Sequence, residues 1–344
     1  MATYKRKVIT TRRAQPEALD ALSLTSTDIK ALSERVGDSK WYAAQRREAF
    51  RVYDDIPMPT LQDEPWRRTD IRALDWGAVT STEARSPNGK VPEWLLQPLV
   101  GEQHGGQVVS NGGVVAAPAI DAALRDQGVI LTDFLTATRE HADLLQKYLG
   151  RAVAVSEGKF AALAATLATE GVFVYVPQGV RAELPLHAVL WASRRSQFSR
   201  TIIVAEDGAS LTYVHELASE NGVGQALHAG TVEIYVGRNA DVKFIELQSL
   251  GRHFWHFTHE RARIEAKGKL DWVFSAIGTR LTKNFSELDL VGDEAWGRMS
   301  GFYFAQDDQH FDHDTQQNHL AVNTTSDLLF KGALRDRSRS VWQG

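Results

Sequence analysis

The chain has 344 residues, 43% of them hydrophobic and 24% charged, enough for a large buried core and for two or three domains. Its formal charge of -4 gives no general attraction to nucleic acid or to an anionic membrane. It has no cysteine, which excludes disulfides, thiolate nucleophiles and cysteine-ligated zinc or iron–sulfur sites within the chain.

No apolar run approaches the roughly 20 residues that span a bilayer, so a reducing cytoplasm is the expected location. Lys5, Arg6, Lys7, Arg12 and Arg13 form a basic cluster without an apolar stretch, which reads as a solvated tail rather than a transit peptide. Thr27 or Asp28 is expected to cap a helix beginning near Ile29. Asp38 or Ser39 then caps a second, with Trp41, Ala44, Glu48 and Arg51 at helical spacing and Pro57 and Pro59 ending it. The segment from Leu61 to Asp70 leads into a region broken by Pro87, Gly89, Pro92 and Pro98, with strand character at Val108–Val109 and Val114–Val115. Further helices are expected over Thr132–Leu149, ended by Gly150, and over Ser156–Ala168, capped by Ser156 or Glu157 and ended near Gly171.

From Val172 the pattern becomes strand-like. Val172-Phe173-Val174-Tyr175-Val176 runs into the turn Pro177-Gln178-Gly179. Ile203 to Tyr213 reads strand, turn, strand, and Tyr235 to Phe244 repeats it with Asn239 standing where Gly208 stood. Asn and Gly are the residues that most readily take positive φ, so the exchange suits one shared turn geometry. Ile264 to Trp272 is a third copy and Leu290 to Trp296 a looser fourth. Turns recurring at a nearly constant period fit stacked coils that bury one continuous core, and a β-sandwich does not require them. The expected fold is mainly β: a right-handed parallel β-helix (β-solenoid) preceded by an N-terminal helical region. The expected parts are 1–105 helical, 106–170 a mixed transition with two helices, and 171–344 the β-helix core.

Several segments together resemble the SufB/SufD family, the paired scaffolds of the SUF iron–sulfur cluster assembly system. Lys159 to Ala165 followed by Gly171 to Val180 looks like the family's entry into its β-helix, and Glu183-Leu184-Pro185-Leu186-His187 continues the match. Glu64-Pro65-Trp66-Arg67-Arg68-Thr69-Asp70-Ile71 is similar to the acidic-x-Trp-basic signature of the SufD N-terminal region. Ser326 to Leu334 and Arg337 to Gly344 look like late coils. The resemblance covers most of the chain from about Leu61.

Two departures point to SufD rather than SufB. Trp191-Ala192-Ser193 stands where SufB-like chains carry Arg-x-Asn, and His215-Glu216-Leu217-Ala218-Ser219 where they carry a cysteine of the sulfur-handling route. The resemblance implies a non-catalytic subunit that pairs with a SufB-like sister scaffold and a SufC-like ATPase, and that can also pair with itself. ATP is then used by the ATPase, and the iron–sulfur cluster forms transiently at the complex with no cofactor held tightly by this chain. In the family, further strands bearing a histidine and a C-terminal helical domain that docks on the ATPase follow the last matched residues. The sequence is therefore expected to be a truncated form.

Two histidine groups invite a metal reading. In a strand, His253 and His259 share a face while His256 points away, so three imidazoles do not converge. His310, Asp312 and His313, in a run of aspartates with His319 beyond, combine imidazole and carboxylate as iron, zinc or manganese sites do. They are the candidate metal ligands of the alternative reading, a metal-dependent enzyme on a β-helix or cupin-like fold. The competing reading is a polar bend whose histidines bond neighbouring turns. No phosphate-binding Gly-rich loop and no Gly-x-Ser-x-Gly elbow occurs.

Overall fold

A computed structural model describes residues 20–79, 90–99, 103–116, 118–192 and 195–344. The basic cluster Lys5–Arg13, Pro87, Gly89 and Ser193 lie outside the described residues.

The first helix, α1 (Ser26–Val36), begins three residues earlier than expected. Thr25 is the cap and Asp28 the third helical residue. Each side chain bonds the other's backbone N–H, at 3.2 and 2.9 Å. This reciprocal box satisfies two orphan donors at once, which a cap at Thr27 or Asp28 would not. Helix α2 (Lys40–Asp55) starts after Ser39 and stops before Pro57, as expected.

The strands β1 (Gly106–Asn111), β2 (Val114–Val115) and β3 (Ala119–Ile120) precede helix α3 (Ala122–Asp126) and strand β4 (Ile130–Asp133). The single helix expected over Thr132–Leu149 is corrected to β4 and two short helices, α4 (Phe134–Glu140) and α5 (Ala142–Tyr148). Asp133 caps α4 by accepting from the Thr136 N–H, and the backbone breaks at His141. Helix α6 (Lys159–Leu167) starts after Gly158, because Ser156 and Glu157 belong to a preceding 3-10 turn. Every residue of α6 is buried, which its alanine-rich sequence permits.

The rest of the chain winds into a two-sheet solenoid of about six turns. One sheet takes β6 (Arg181–Trp191), β8 (Ser210–Ala218), β10 (Asp241–Ser249), β12 (Lys269–Ile277), β14 (Trp296–Ala305) and β16 (Thr325–Leu334). The other takes β5 (Val172–Val176), β7 (Gln197–Ala205), β9 (Ala226–Val236), β11 (Phe254–Ile264), β13 (Leu281–Leu290), β15 (His310–His319) and β17 (Arg339–Gln343). Neighbours within each solenoid sheet are parallel. β1 joins the first sheet beside β6 in parallel, and β4 caps the second against β5 in antiparallel.

The turns explain the period. At the four- or five-residue corners leading from the second sheet to the first, Gly179, Gly208, Asn239, Lys267, Glu294 and Asn323 all have positive φ. Their spacing of 27 to 31 residues is one coil. The Gly208–Asn239 equivalence therefore holds. In the third copy the left-handed residue is Lys267 (φ 57°) and not the adjacent Gly268. A left-handed lysine costs roughly 1–2 kcal/mol of backbone strain, and glycine there would return part of it after its own entropy cost. Lys267→Gly is expected to raise the urea midpoint by the equivalent of about 0.5 kcal/mol. Its exposed 3.6 Å pair with Glu294 contributes little that could offset the gain. A lowered midpoint would show that the lysine, and not the turn, is what the corner requires.

Alternation along the strands places one side-chain set inside the coils and the other outside. Inside, Leu186, Ile203, Tyr213, Ile234, Phe244, Ile264 and Trp272 pack one continuous core. Outside the second sheet, Phe198, Leu227, Trp255 and Phe257 receive α6 and the N-terminal region. Phe160 stacks on Phe257 at 3.8 Å, and Trp66 of the Glu64–Asp70 signature sits 5.4–6.0 Å from Phe160, Phe257 and Phe285. The fully buried Arg46 joins the helices: it pairs with Asp38 at 2.8 Å and donates to the Thr166 and Ala168 carbonyls at the end of α6. Those carbonyls lack intrahelical partners, so the arginine supplies what the helix end needs. No described helix is long and apolar enough to cross a membrane.

Candidate functional site

Polar residues also face inward, between the apolar layers of the solenoid. Ser199, His228 and His256 come from neighbouring strands β7, β9 and β11. Ser199 Oγ lies 2.9 Å from His228 Nε2, and His228 Nδ1 lies 2.9 Å from His256 Nδ1. The two imidazoles stack at 4.9 Å and share one proton across that contact, so one ring donates and the other accepts. Burial holds His256 down to about 3 and His228 well below the usual imidazole range, the second helped by the charge His256 would carry. His215, bonded to the Tyr213 hydroxyl at 3.0 Å, is lowered to about 4 for the same reason.

Further along the interior, Glu246 of β10 meets Glu260 of β11. Burial raises both acids, and the neighbouring carboxylate raises Glu246 further, so the pair retains a proton. Trp272 Nε1 donates to Glu246 at 3.2 Å and Ser286 Oγ to Glu260 at 3.1 Å. The interior is thus a set of proton-sharing groups without a thiol. The His215 ring faces this interior.

The expected His310, Asp312 and His313 cluster is divided by the strand pleat. His310 and Asp312 point outward, where Thr69 bonds both, at 3.0 Å to His310 Nε2 and by a shorter contact to Asp312. His313 points inward among Phe274, Tyr303 and Phe330, and burial lowers it to about 3. The cation beside Asp312 is the Lys283 ammonium, 3.0 Å away with both side chains fully buried. Among the described residues no three His, Cys, Asp or Glu side chains converge as a metal-ligand set. His253, His256 and His259 do not converge either. His253 precedes β11, His256 faces the interior and His259 stacks outside on Phe285 at 4.7 Å.

What sequence reasoning missed is the pairing between coils. His228 and His256 stand 28 residues apart, one coil, and are direct neighbours in the ladder. That spacing was the available signal.

Comparison with known proteins gives one answer along nearly the whole chain. Residues 35–188 match the SufBD protein N-terminal region, and residues 189–344 match the SufBD core domain of SUF system FeS cluster assembly. Relatives described as iron–sulfur cluster assembly SufBD family proteins include those of Staphylococcus saprophyticus and Staphylococcus epidermidis, each 26% identical over 343 residues, and of Staphylococcus aureus at 25%. Each alignment covers 93% of this chain and 71% of the relative.

Proposed function

Because the chain belongs to the SufBD family of iron–sulfur cluster assembly proteins, we propose that it is a SufD-like, non-catalytic scaffold subunit of a cytoplasmic SUF complex. The observation that carries this reading is that residues 35–344 match the two SufBD regions while these 344 residues carry no thiol with which to receive sulfur. A SufB-like sister scaffold is the proposed partner. The SufC-like ATPase, which uses the ATP, is reached through a C-terminal helical domain outside these 344 residues.

The iron–sulfur cluster is cargo that forms transiently between the scaffolds. The absence of a thiol in this chain and the separation of His310 and Asp312 from His313 support assigning sulfur handling to the partner. The rigid, filled coils suit a lever that transmits movement of the ATPase pair. A second copy of this chain is the alternative partner.

The test is co-expression of the complete reading frame with SufB-like and SufC-like proteins, followed by size exclusion with light scattering. The expected particle holds one SufB-like chain, one copy of this chain and two ATPase chains. Elution of this chain alone, with the other proteins forming their own complex, would reject the assignment.

A further inference from the structure

The chain between the end of α2 and Trp66 leaves a cleft open against the outer face of the second sheet. It holds about 320 Å3, the small end of the range for ligand pockets and room for one or two fused rings. Pro57, Met58 and Trp66 line it from the N-terminal region, and Gly158, His259 and Phe285 from the start of α6, β11 and β13.

The charged groups of the wall already have partners. Glu157 and Glu287 both bind Arg261, at 2.6 and 2.7 Å. The Lys159 ammonium donates to the Tyr53 carbonyl and lies 3.8 Å from the centre of the Tyr53 ring. Asp63 accepts from the Thr60 N–H at 2.7 Å and from the Thr60 hydroxyl at 3.0 Å. A charged ligand would be buried without a counter-charge of its own unless one of these contacts broke, so the cleft favours an uncharged one.

His259 differs from these groups. It is 8% exposed, and its Nδ1 has no hydrogen-bonding partner among the described residues. Nε2 borders open space: a side-chain carbon placed on Gly158 would meet, beyond its chain neighbours, only His259 Nε2 at 3.5 Å and Cε1 at 3.9 Å. Burial lowers the imidazole to about 4, so at neutral pH it carries one hydrogen and one lone pair. An unpaired lone pair is less costly to bury than an unpaired N–H. The hydrogen therefore belongs on Nε2, facing the cleft.

We propose that this cleft binds an uncharged, planar aromatic molecule of one or two rings that bears an acceptor oxygen. The ring lies among Pro57, Met58 and Trp66, and the oxygen receives the His259 Nε2–H. Met58 supplies a flexible thioether that adjusts to the ring's outline. Gly158 keeps the approach to Nε2 clear, since any side chain there would stand where the oxygen must come. The site does not depend on the assembly reading.

The test is titration of the complete chain with acetophenone and with ethylbenzene, followed by saturation-transfer NMR. The two probes are close in shape, and only the first carries the oxygen. Both are expected to bind the wild type. His259→Phe keeps an aromatic ring against Phe285 and is expected to weaken acetophenone at least about 5-fold, the cost of an acceptor buried without its donor, while leaving ethylbenzene unchanged. Gly158→Ala is expected to weaken acetophenone by at least as much. The Gly158 backbone is extended (φ 166°) and accepts alanine without strain, and thermal melting of both variants verifies the fold. No binding of acetophenone by the wild type, undiminished binding by either folded variant, or an equal loss of ethylbenzene in His259→Phe would each overturn the site.

Discussion

Acidification below about pH 6.5 is expected to unfold this protein steeply, losing about 3 kcal/mol of stability per pH unit until about pH 4.5. Five imidazoles are responsible. Burial lowers His256 and His313 to about 3, His215 and His259 to about 4, and His228 further still. Each stays neutral in the fold but takes up a proton near pH 6.5 once unfolded. The stability they contribute is present in full above that value and is lost as pH falls toward the folded values, at about 1.4 kcal/mol per unit for each group.

Acids raised by burial act in the opposite direction. Burial raises Glu246, Glu260 and Asp314, so these carboxyls oppose the loss as pH falls. Three carboxyls against five imidazoles leave at least two imidazoles uncompensated, which sets the expected slope. Urea midpoints at about pH 7.5 and pH 5.5 measure it. His256→Gln is expected to lower the neutral-pH midpoint yet flatten the dependence by about one imidazole's share. Equal midpoints at the two pH values would show that these histidines meet solvent in the folded state.

Removing one partner of the buried Lys283–Asp312 pair is expected to cost about 3–5 kcal/mol, because the remaining charge has no water to turn to. Lys283 also lies 4.5 Å from the Phe285 ring centre and 3.8 Å from Asp314, so its ammonium is held on three sides. Asp312 anchors Thr69, and through it the segment whose Trp66 covers the outside of the second sheet. Lys283→Met should therefore loosen the N-terminal region as well as the coil. Adding Asp312→Asn should recover a large part of the loss by removing the stranded charge. A single variant as stable as the wild type would mean that the pair is hydrated.

The coil was legible in the sequence because its corners need left-handed residues at a fixed interval, and Gly208 and Asn239 are cheap ways to meet that need. Lys267 and Glu294 occupy the same corner without a local preference for it, so only the repeat could place them. The helices were legible where a turn residue and a following proline bracket them, as Ser39 and Pro57 do at α2, and misplaced where two residues act together, as Thr25 and Asp28 do. The polar interior was hidden for a different reason. Whether His256 faces the core or the helices depends on strand parity, and its partner His228 is one coil away. His310, Asp312 and His313 look clustered on paper, yet the pleat sends the third inward while Thr69, 243 residues from Asp312, closes on the other two. Arg46 likewise reads as an ordinary helical surface residue until α6 brings its carbonyl ends within reach.

Cluster formation on the reconstituted complex tests the scaffold role most directly. Iron(II), a sulfide source and ATP would be supplied to SufB-like and SufC-like partners with and without the product of the complete reading frame, and cluster absorbance followed against each protein alone. Cluster formation is expected to require this protein in stoichiometric amount, and none is expected from it in isolation. Equal formation without it, or turnover by the isolated protein, would contradict the scaffold role.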